Sequence, residues 1–371
     1  MDLDQLLSQM RSRGASDLHL RVGMPPTLRV DGELVTLKEE VLHPEDLEAV
    51  TESILTAAQK ERFDNYNELD LALSIRELGR YRVNLYRQRG TVGIALRAVQ
   101  TEVPAFDELG LPEVVAKLTD AKRGLTIVTG TTGSGKSTTL AAMIDRINQT
   151  RRVNILTIED PIEYVHYNKE SMIVQREIGA DTDSFSTALR QAFRQDPDVV
   201  LIGEIRDRET MEIALAAADT GHLVLTTLHT LNAIETISRI ISFFPPHQHQ
   251  QVRLLLAGTL KAIISQRLLP RAQGQGRVPA VEILMNTAAV RECLLDPDKT
   301  SQIHDLIESG SVEYGMQSFD QSMMKLYSSG LISYEEATSQ ADNPEDFQLR
   351  VKGIVGASER GWREFTELGE S

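Results

Sequence analysis

Cysteine is almost missing from this chain, since Cys293 stands alone among 371 residues. One thiol makes neither an internal disulfide nor a four-thiolate zinc site, so architectures built on either are excluded and a reducing compartment, the cytosol, is expected. Long apolar runs are missing as well. The stretch at 254–260 meets Lys261 at once, far short of the roughly 20 residues that cross a bilayer. The opening MDLDQLLSQMRSRGASDLHL carries acids and lacks the apolar core of a secretory signal, so neither a span nor export is expected. Positive charge is in deficit: 39 Lys and Arg against 54 Asp and Glu leave a net charge of -15, a field that repels nucleic-acid phosphates and anionic lipid. Any polyanion must therefore be held by a local feature, and no nucleic-acid partner is expected.

What the chain does have is length, enough for two or three domains at about 150 residues each. Up to about Val99 the apolar pattern has the two-residue period of half-buried strands: Leu18, Leu20 and Val22; Leu69, Leu71 and Leu73; Tyr81, Val83 and Leu85; Val92, Ile94 and Leu96. Asp31-Gly32 is a hairpin signal, and Pro44 opens a helix with Leu47, Val50 and Ile54 on one face. Residues 1–100 thus read as a small α+β domain. Pro104, Gly110 and Pro112 mark an interdomain linker at 101–112. From 113 to 345, short apolar runs at 125–128, 155–158, 199–202 and 223–225 alternate with helical patterns, which predicts an α/β domain with a mostly parallel sheet covered on both faces. Beyond about Pro245 the pattern is mainly helical, with a late strand at 281–284, and 346–371 reads as a polar tail whose 353–371 part is flexible.

The local feature that binds a polyanion is Gly130-Thr131-Thr132-Gly133-Ser134-Gly135-Lys136-Ser137, a complete G-x-x-x-x-G-K-[ST] sequence between an apolar strand and the helical run that starts at Thr138. Its glycines let the backbone turn N–H groups inward, the next helix adds its positive end, Lys136 reaches the β- and γ-phosphates, and Ser137 offers a hydroxyl to Mg²⁺. Hydrolysis also needs a group that orients or deprotonates water. Glu204 follows the apolar run Val199-Val200-Leu201-Ile202 and Gly203, at the carboxyl end of a strand where parallel sheets bind ligands, and is assigned as that base.

Further acids end the strand Asn154-Ile155-Leu156-Thr157-Ile158. Glu159 and Glu163 either hold the waters of the magnesium or are surface acids of a turn broken at Asp160-Pro161. His222 and His229 bracket another strand seven residues apart, so they point to opposite faces and share no metal. Either reports on phosphate and Glu204, or each is an ordinary hydrogen-bonded histidine. Arg80 and Arg82, with Arg97 on the next strand, alternate against apolar neighbours: they reach a neighbour's γ-phosphate as arginine fingers or form a solvated strand face.

With these four elements in this order, the chain resembles the secretion ATPase superfamily, whose Walker A, Asp box, Walker B and His box they match. GASDLHL, RYRVNLYRQRG and SQRLLP extend the likeness over most of the chain, and it is closest to the branch that retracts type IV pili. The resemblance implies a RecA-like ATPase domain behind an amino-terminal PAS-like domain, ATP and Mg²⁺ as cofactors, and a homohexameric ring. It also implies work on the pilin machinery through a platform protein, at the inner face of the cytoplasmic membrane. Extension motors of the superfamily carry a four-cysteine zinc site, which Cys293 alone cannot form. Where many ATPases have Asp-Glu this chain has Gly203-Glu204, and Ala289-Val290-Arg291-Glu292-Cys293 stands at the carboxy-terminal motif.

Overall fold

The computed structural model describes residues 2–30, 32–100, 102–274 and 276–352. Asp31 of the hairpin signal and the polar stretch 353–371 lie outside the described residues. The chain forms two compact units. One runs to Glu102 and includes Ile162–Val165; the other holds Val103–Pro161 and the chain from His166 onward.

In the first unit, β1 (Asp17–Arg21), β2 (Thr27–Val30), β3 (Glu33–Thr36), β4 (Glu68–Ile75), β5 (Gly79–Gln88) and β6 (Thr91–Ala98) form an antiparallel sheet in the order β3-β2-β1-β6-β5-β4. The two-residue period sorts its faces. Leu18, Leu20, Leu28, Val83, Leu85, Ile94 and Leu96 are buried, together with Leu7, Met10, Leu47, Val50 and Phe63 from helices Leu3–Ser12, Pro44–Ile54 and Ala57–Tyr66. On the opposite face Arg29, Asp17, Arg97 and Arg82 stand abreast across β2, β1, β6 and β5.

The second unit is built on β7 (Gly124–Thr129), β8 (Asn154–Glu159), β9 (Met172–Glu177), β10 (Val199–Ile202), β11 (Leu223–Leu228), β12 (Leu260–Pro270) and β13 (Arg277–Met285). Their order is β13-β12-β7-β11-β10-β8-β9, parallel except for β13 against β12. Helix Lys136–Thr150 shares one core with Val128, Leu201, Leu223, Leu225 and Ile264. Helices Arg208–Asp219, Ala233–Ser242, His249–Thr259 and Ala288–Leu295 share another with Leu125, Ile127, Val200, Ile202 and Val224. A sheet covered on both sides buries both faces of each strand, which is why these strands read as apolar runs. The α/β architecture expected from the sequence is the one observed, with the carboxyl ends of the parallel strands at one edge.

Three differences have physical causes. The region after Pro245 is mainly helical, with β13 at the expected late strand, but it holds a second strand that was not expected: β12 runs for eleven residues, and burial on both faces removes the alternation that separates a strand from a buried helix. The linker expected at 101–112 belongs from Val103 onward to the second unit, where Phe106 and Leu111 pack against the core. The tail does not begin at 346. Asn343 caps a helix, Pro344–Val351, by accepting from the Asp346 amide at 3.2 Å, and its Phe347 is fully buried with Phe319, Met323 and Ile332. Asn343-Pro344 starts the helix, with the proline at its first position.

Phe347→Ala is expected to lower stability by about 3–5 kcal/mol, the usual cost of deleting a buried ring; an unchanged urea midpoint would show that this helix carries no packing. A second test concerns Glu282 on β13, buried to 3% exposure. Burial pushes its carboxyl from 4.5 up to about 7, against the hydrogen bond that the Ala233 amide donates to it at 2.7 Å. Between those two values the folded chain holds a proton that the unfolded chain has released, so stability falls as pH rises through this window and is level above it. Glu282→Gln removes that slope. Its advantage in melting temperature over the wild type should widen from pH 4.5 to about 7, corresponding to up to about 3 kcal/mol.

Candidate nucleotide site

The loop after β7 leads into a fifteen-residue helix whose N-cap, Gly135, offers no side chain to its first amides. Those N–H groups have no intrahelical partner, and the helix dipole adds partial positive charge at the same point. Gly130 is needed where β7 ends: its φ of 139° suits glycine, and a Cβ there would run into the carbonyl of Gln266 on β12 and the side chain of Ser134. Ser134 Oγ is buried and finds no hydrogen-bond partner among the described residues. The Lys136 ammonium, nearly buried, donates to the carbonyls of Gly130 and Thr131 at 2.8 Å each. Burial lowers its proton affinity and the nearby Glu204 carboxylate raises it. Uncapped amides, a glycine cradle, an orphan hydroxyl and a desolvated ammonium together fit a polyphosphate.

Thr131, Thr132, Gly133 and Ser137 are exposed on this loop, with Thr138 half-buried behind them. No group of three or more acidic, His or Cys side chains able to hold a metal occurs among the described residues. A magnesium ion here would be held by Ser137, phosphate oxygens and water rather than by a protein cage.

Glu204 reaches the same sheet edge because β10 runs close to β8. The Gly203 amide donates to the Ile158 carbonyl at 2.8 Å, and a Cβ on Gly203 would come within 3.2 Å of the Glu159 Cα. A side chain at 203 would push Glu204 away from β8. Thr227 secures the turn by donating to the Gly203 carbonyl at 2.6 Å. Glu204 is 14% exposed, lies 3.3 Å from His229 Nε2, and pairs with the Arg206 guanidinium, which also faces Asp160 at 3.7 Å. Glu159 Oε1 accepts from Thr157 at 2.7 Å and from Gln175 at 3.2 Å. Lys136, Glu204, His229 and Glu159 therefore share one edge of the second unit.

Comparison with known proteins adds relatedness to this geometry. Residues 2–329 match the type II/IV secretion system protein family. The chain belongs to that family. Among curated relatives, the type IV pilus retraction ATPase PilT of Pseudomonas aeruginosa is 44% identical over 94% of this chain and 100% of its own length. The type IV pilus ATPase PilU of the same organism is 43% identical over 95% of this chain and 92% of its own. A crystal structure of the pilus retraction motor PilT with bound ADP, 45% identical, covers 93% of this chain and 98% of that one with a TM-score of 0.86. The Legionella pneumophila ATPase DotB, at 29% identity, covers 95% and 96% with a TM-score of 0.79.

Not every predicted site residue of this secretion-family chain joins the cluster. His222 is corrected: it stands at the amino end of β11, about 20 Å of strand away from His229, with Nδ1 3.0 Å from the Ala217 carbonyl and its ring edge-on to Phe193. Glu163 belongs to the first unit, where its carboxylate accepts from Arg82 at 3.2 Å. Arg97 donates to Asp17 at 2.8 Å. Despite burial, which acts to raise it, the Asp17 carboxyl is held below its usual range by hydrogen bonds from Ser16 and Arg97. Residue type and spacing missed Arg206, Asp160 and Gln266. Gln266 donates from a fully buried position on β12 to Thr139 at 2.9 Å. Only the position of Arg206, two residues beyond Glu204 on the same strand exit, could have signalled it.

The Arg206 side chain is 64% exposed, and a pair open to solvent to that extent contributes less than about 1 kcal/mol. Arg206→Ala should leave the melting temperature nearly unchanged; a large drop would mean that the Glu204 cluster supports the fold.

Proposed function

We propose that this chain is an ATP-hydrolysing motor that drives type IV pilus retraction, working as a homohexameric ring. The observation that carries the reading is the Glu204 carboxylate, fixed by Gly203 and Thr227 at the strand edge that also bears the Lys136 loop. The full-length relation to a retraction ATPase supplies the task. A relation to type II secretion protein E of Pseudomonas aeruginosa also exists, at 38% identity over 72% of this chain and 53% of that protein. It shares less of the chain, so retraction is favoured over secretion.

In this reading the loop residues Gly130, Thr131, Thr132, Gly133, Ser134 and Gly135 wrap the phosphates with their amides, Thr138 backs the loop, and Lys136 sets its charge against the β- and γ-phosphates. Ser137 would hold magnesium, which when bound would supply positive charge against the phosphate oxygens. Glu204 takes a proton from the attacking water, and its contact with His229 keeps the carboxylate turned toward the loop. Glu159, steadied by Thr157 and Gln175, would accept hydrogen bonds from water at a bound magnesium. Arg82 and Arg97 leave Glu163 and Asp17 to meet the terminal phosphate of a neighbouring protomer, which makes turnover depend on assembly. The platform protein at the inner face of the cytoplasmic membrane and the pilin machinery are the partners. Membrane association runs through those partners; no helix among the described residues is long and apolar enough to cross a membrane.

Glu204→Gln should bind ATP with wild-type affinity while turnover falls by about 10²- to 10⁴-fold, the usual worth of a positioned base. In cells, wild type but not this variant should restore motility to a deletion strain whose pili are abundant and immobile. Normal turnover by the variant removes Glu204 from its role, and a deletion strain without pili points to extension instead.

A further inference from the structure

We propose that Glu282 is a positioning residue for turnover, joining the loop that carries His229 to the strand end that feeds the phosphate loop. The inference rests on reading the chain as an ATPase, and it concerns residues that touch neither nucleotide nor water.

The loop from His229 to helix Ala233–Ser242 is short and tied from several sides. Asn232 caps the helix by accepting from the Glu235 amide at 2.8 Å, Glu235 accepts from the Leu231 amide at 2.8 Å, and the hydroxyls of Thr230 and Thr236 lie 2.7 Å apart. All of those ties are internal to the loop and its helix. The tie to the sheet is Glu282, whose Oε1 accepts from the Ala233 amide at 2.7 Å. The same oxygen accepts from Ser265 Oγ on β12 at 3.3 Å.

Ser265 stands directly opposite Glu282 on one side and Thr129 of β7 on the other, so the three side chains lie abreast on one face of the sheet. Thr129 immediately precedes Gly130. Its hydroxyl is buried and finds no hydrogen-bond partner among the described residues. All three residues are buried. A polar row of this kind in a close-packed interior is costly unless satisfied. Here it runs from the helix behind His229 to the root of the phosphate loop: side-chain hydrogen bonds join Ala233, Glu282 and Ser265, and the backbone pairing of β12 with β7 carries the link on from Ser265 to Thr129.

The carboxyl has a second property that makes the link testable. Ionised, it is an acceptor at a helix amino terminus, where negative charge is favoured and hydrogen bonds are stronger. Its charged surroundings are Asp342, which opposes ionisation, and His304, which favours it; the Ala233 amide and the Ser265 hydroxyl also favour it. The ionised form fixes the loop most firmly, so turnover gains from ionisation although folding does not.

The test uses the full chain and two substitutions. In hydrogen exchange, Glu282→Ala should speed exchange of the 229–236 amides and of the 129–131 segment by about tenfold or more, as expected for loss of one charged hydrogen bond. Helix Ala288–Leu295 should be unaffected. Glu282→Gln keeps size and acceptor but not charge. The ratio of wild-type to Glu282→Gln kcat should rise between about pH 6 and pH 8 with KM for ATP unchanged, because only the wild type ionises there. A flat ratio, or exchange that changes only at 229–236, overturns the proposal. If the wild type itself shows no turnover, the ATPase reading fails while the exchange measurement still decides whether Glu282 joins the two loops.

Discussion

A fifteen-residue helix that starts without a capping side chain is the constraint on which this molecule is organised. Its first amides and its dipole need negative charge, and helix Lys136–Thr150 is too deeply packed against the sheet to turn elsewhere. The glycines before it leave space where a side chain would have met that need. The parallel sheet then sets where chemistry can occur, because every strand that delivers a functional residue, β7, β8, β10 and β11, ends on the same side. Glu204 gains its position from Gly203, which lets two strands approach more closely than any other residue would allow.

Much of this was legible in the sequence, for reasons that can be named. The phosphate loop is a local device whose residues must be adjacent in the chain, so its pattern survives in one dimension. Glu204 was readable because an unbroken apolar run implies a buried strand, and a buried strand implies a defined end. β12 and the helix Pro344–Val351 were not. The first lacks alternation because both its faces are covered; the second is hidden by its polar composition, with Phe347 its one fully buried apolar side chain.

Partners that depend on tertiary contact were harder still. Nothing local pairs Arg82 with Glu163, which lies 81 residues on, or Asp17 with Arg97, 80 residues away. His222 was misjudged because two histidines flanking one strand look equivalent in sequence, whereas a strand in a parallel sheet has one end at the ligand edge and one at the opposite edge. Arg206 and Gln266 carry no signature of their own residue type. Only their neighbours in the fold give them meaning.

The excursion of Ile162–Val165 into the first unit has a consequence for dissecting the molecule. Counting the junctions after Glu102, Pro161 and Val165, the backbone passes between the units three times. A gene fragment begun at Val103 would not yield a clean second unit: it would carry a four-residue piece of the first unit, with Ile162 and Tyr164, both buried in the intact chain, separated from the rest of that unit. The two units are stitched rather than strung, and severing them takes more than one cut.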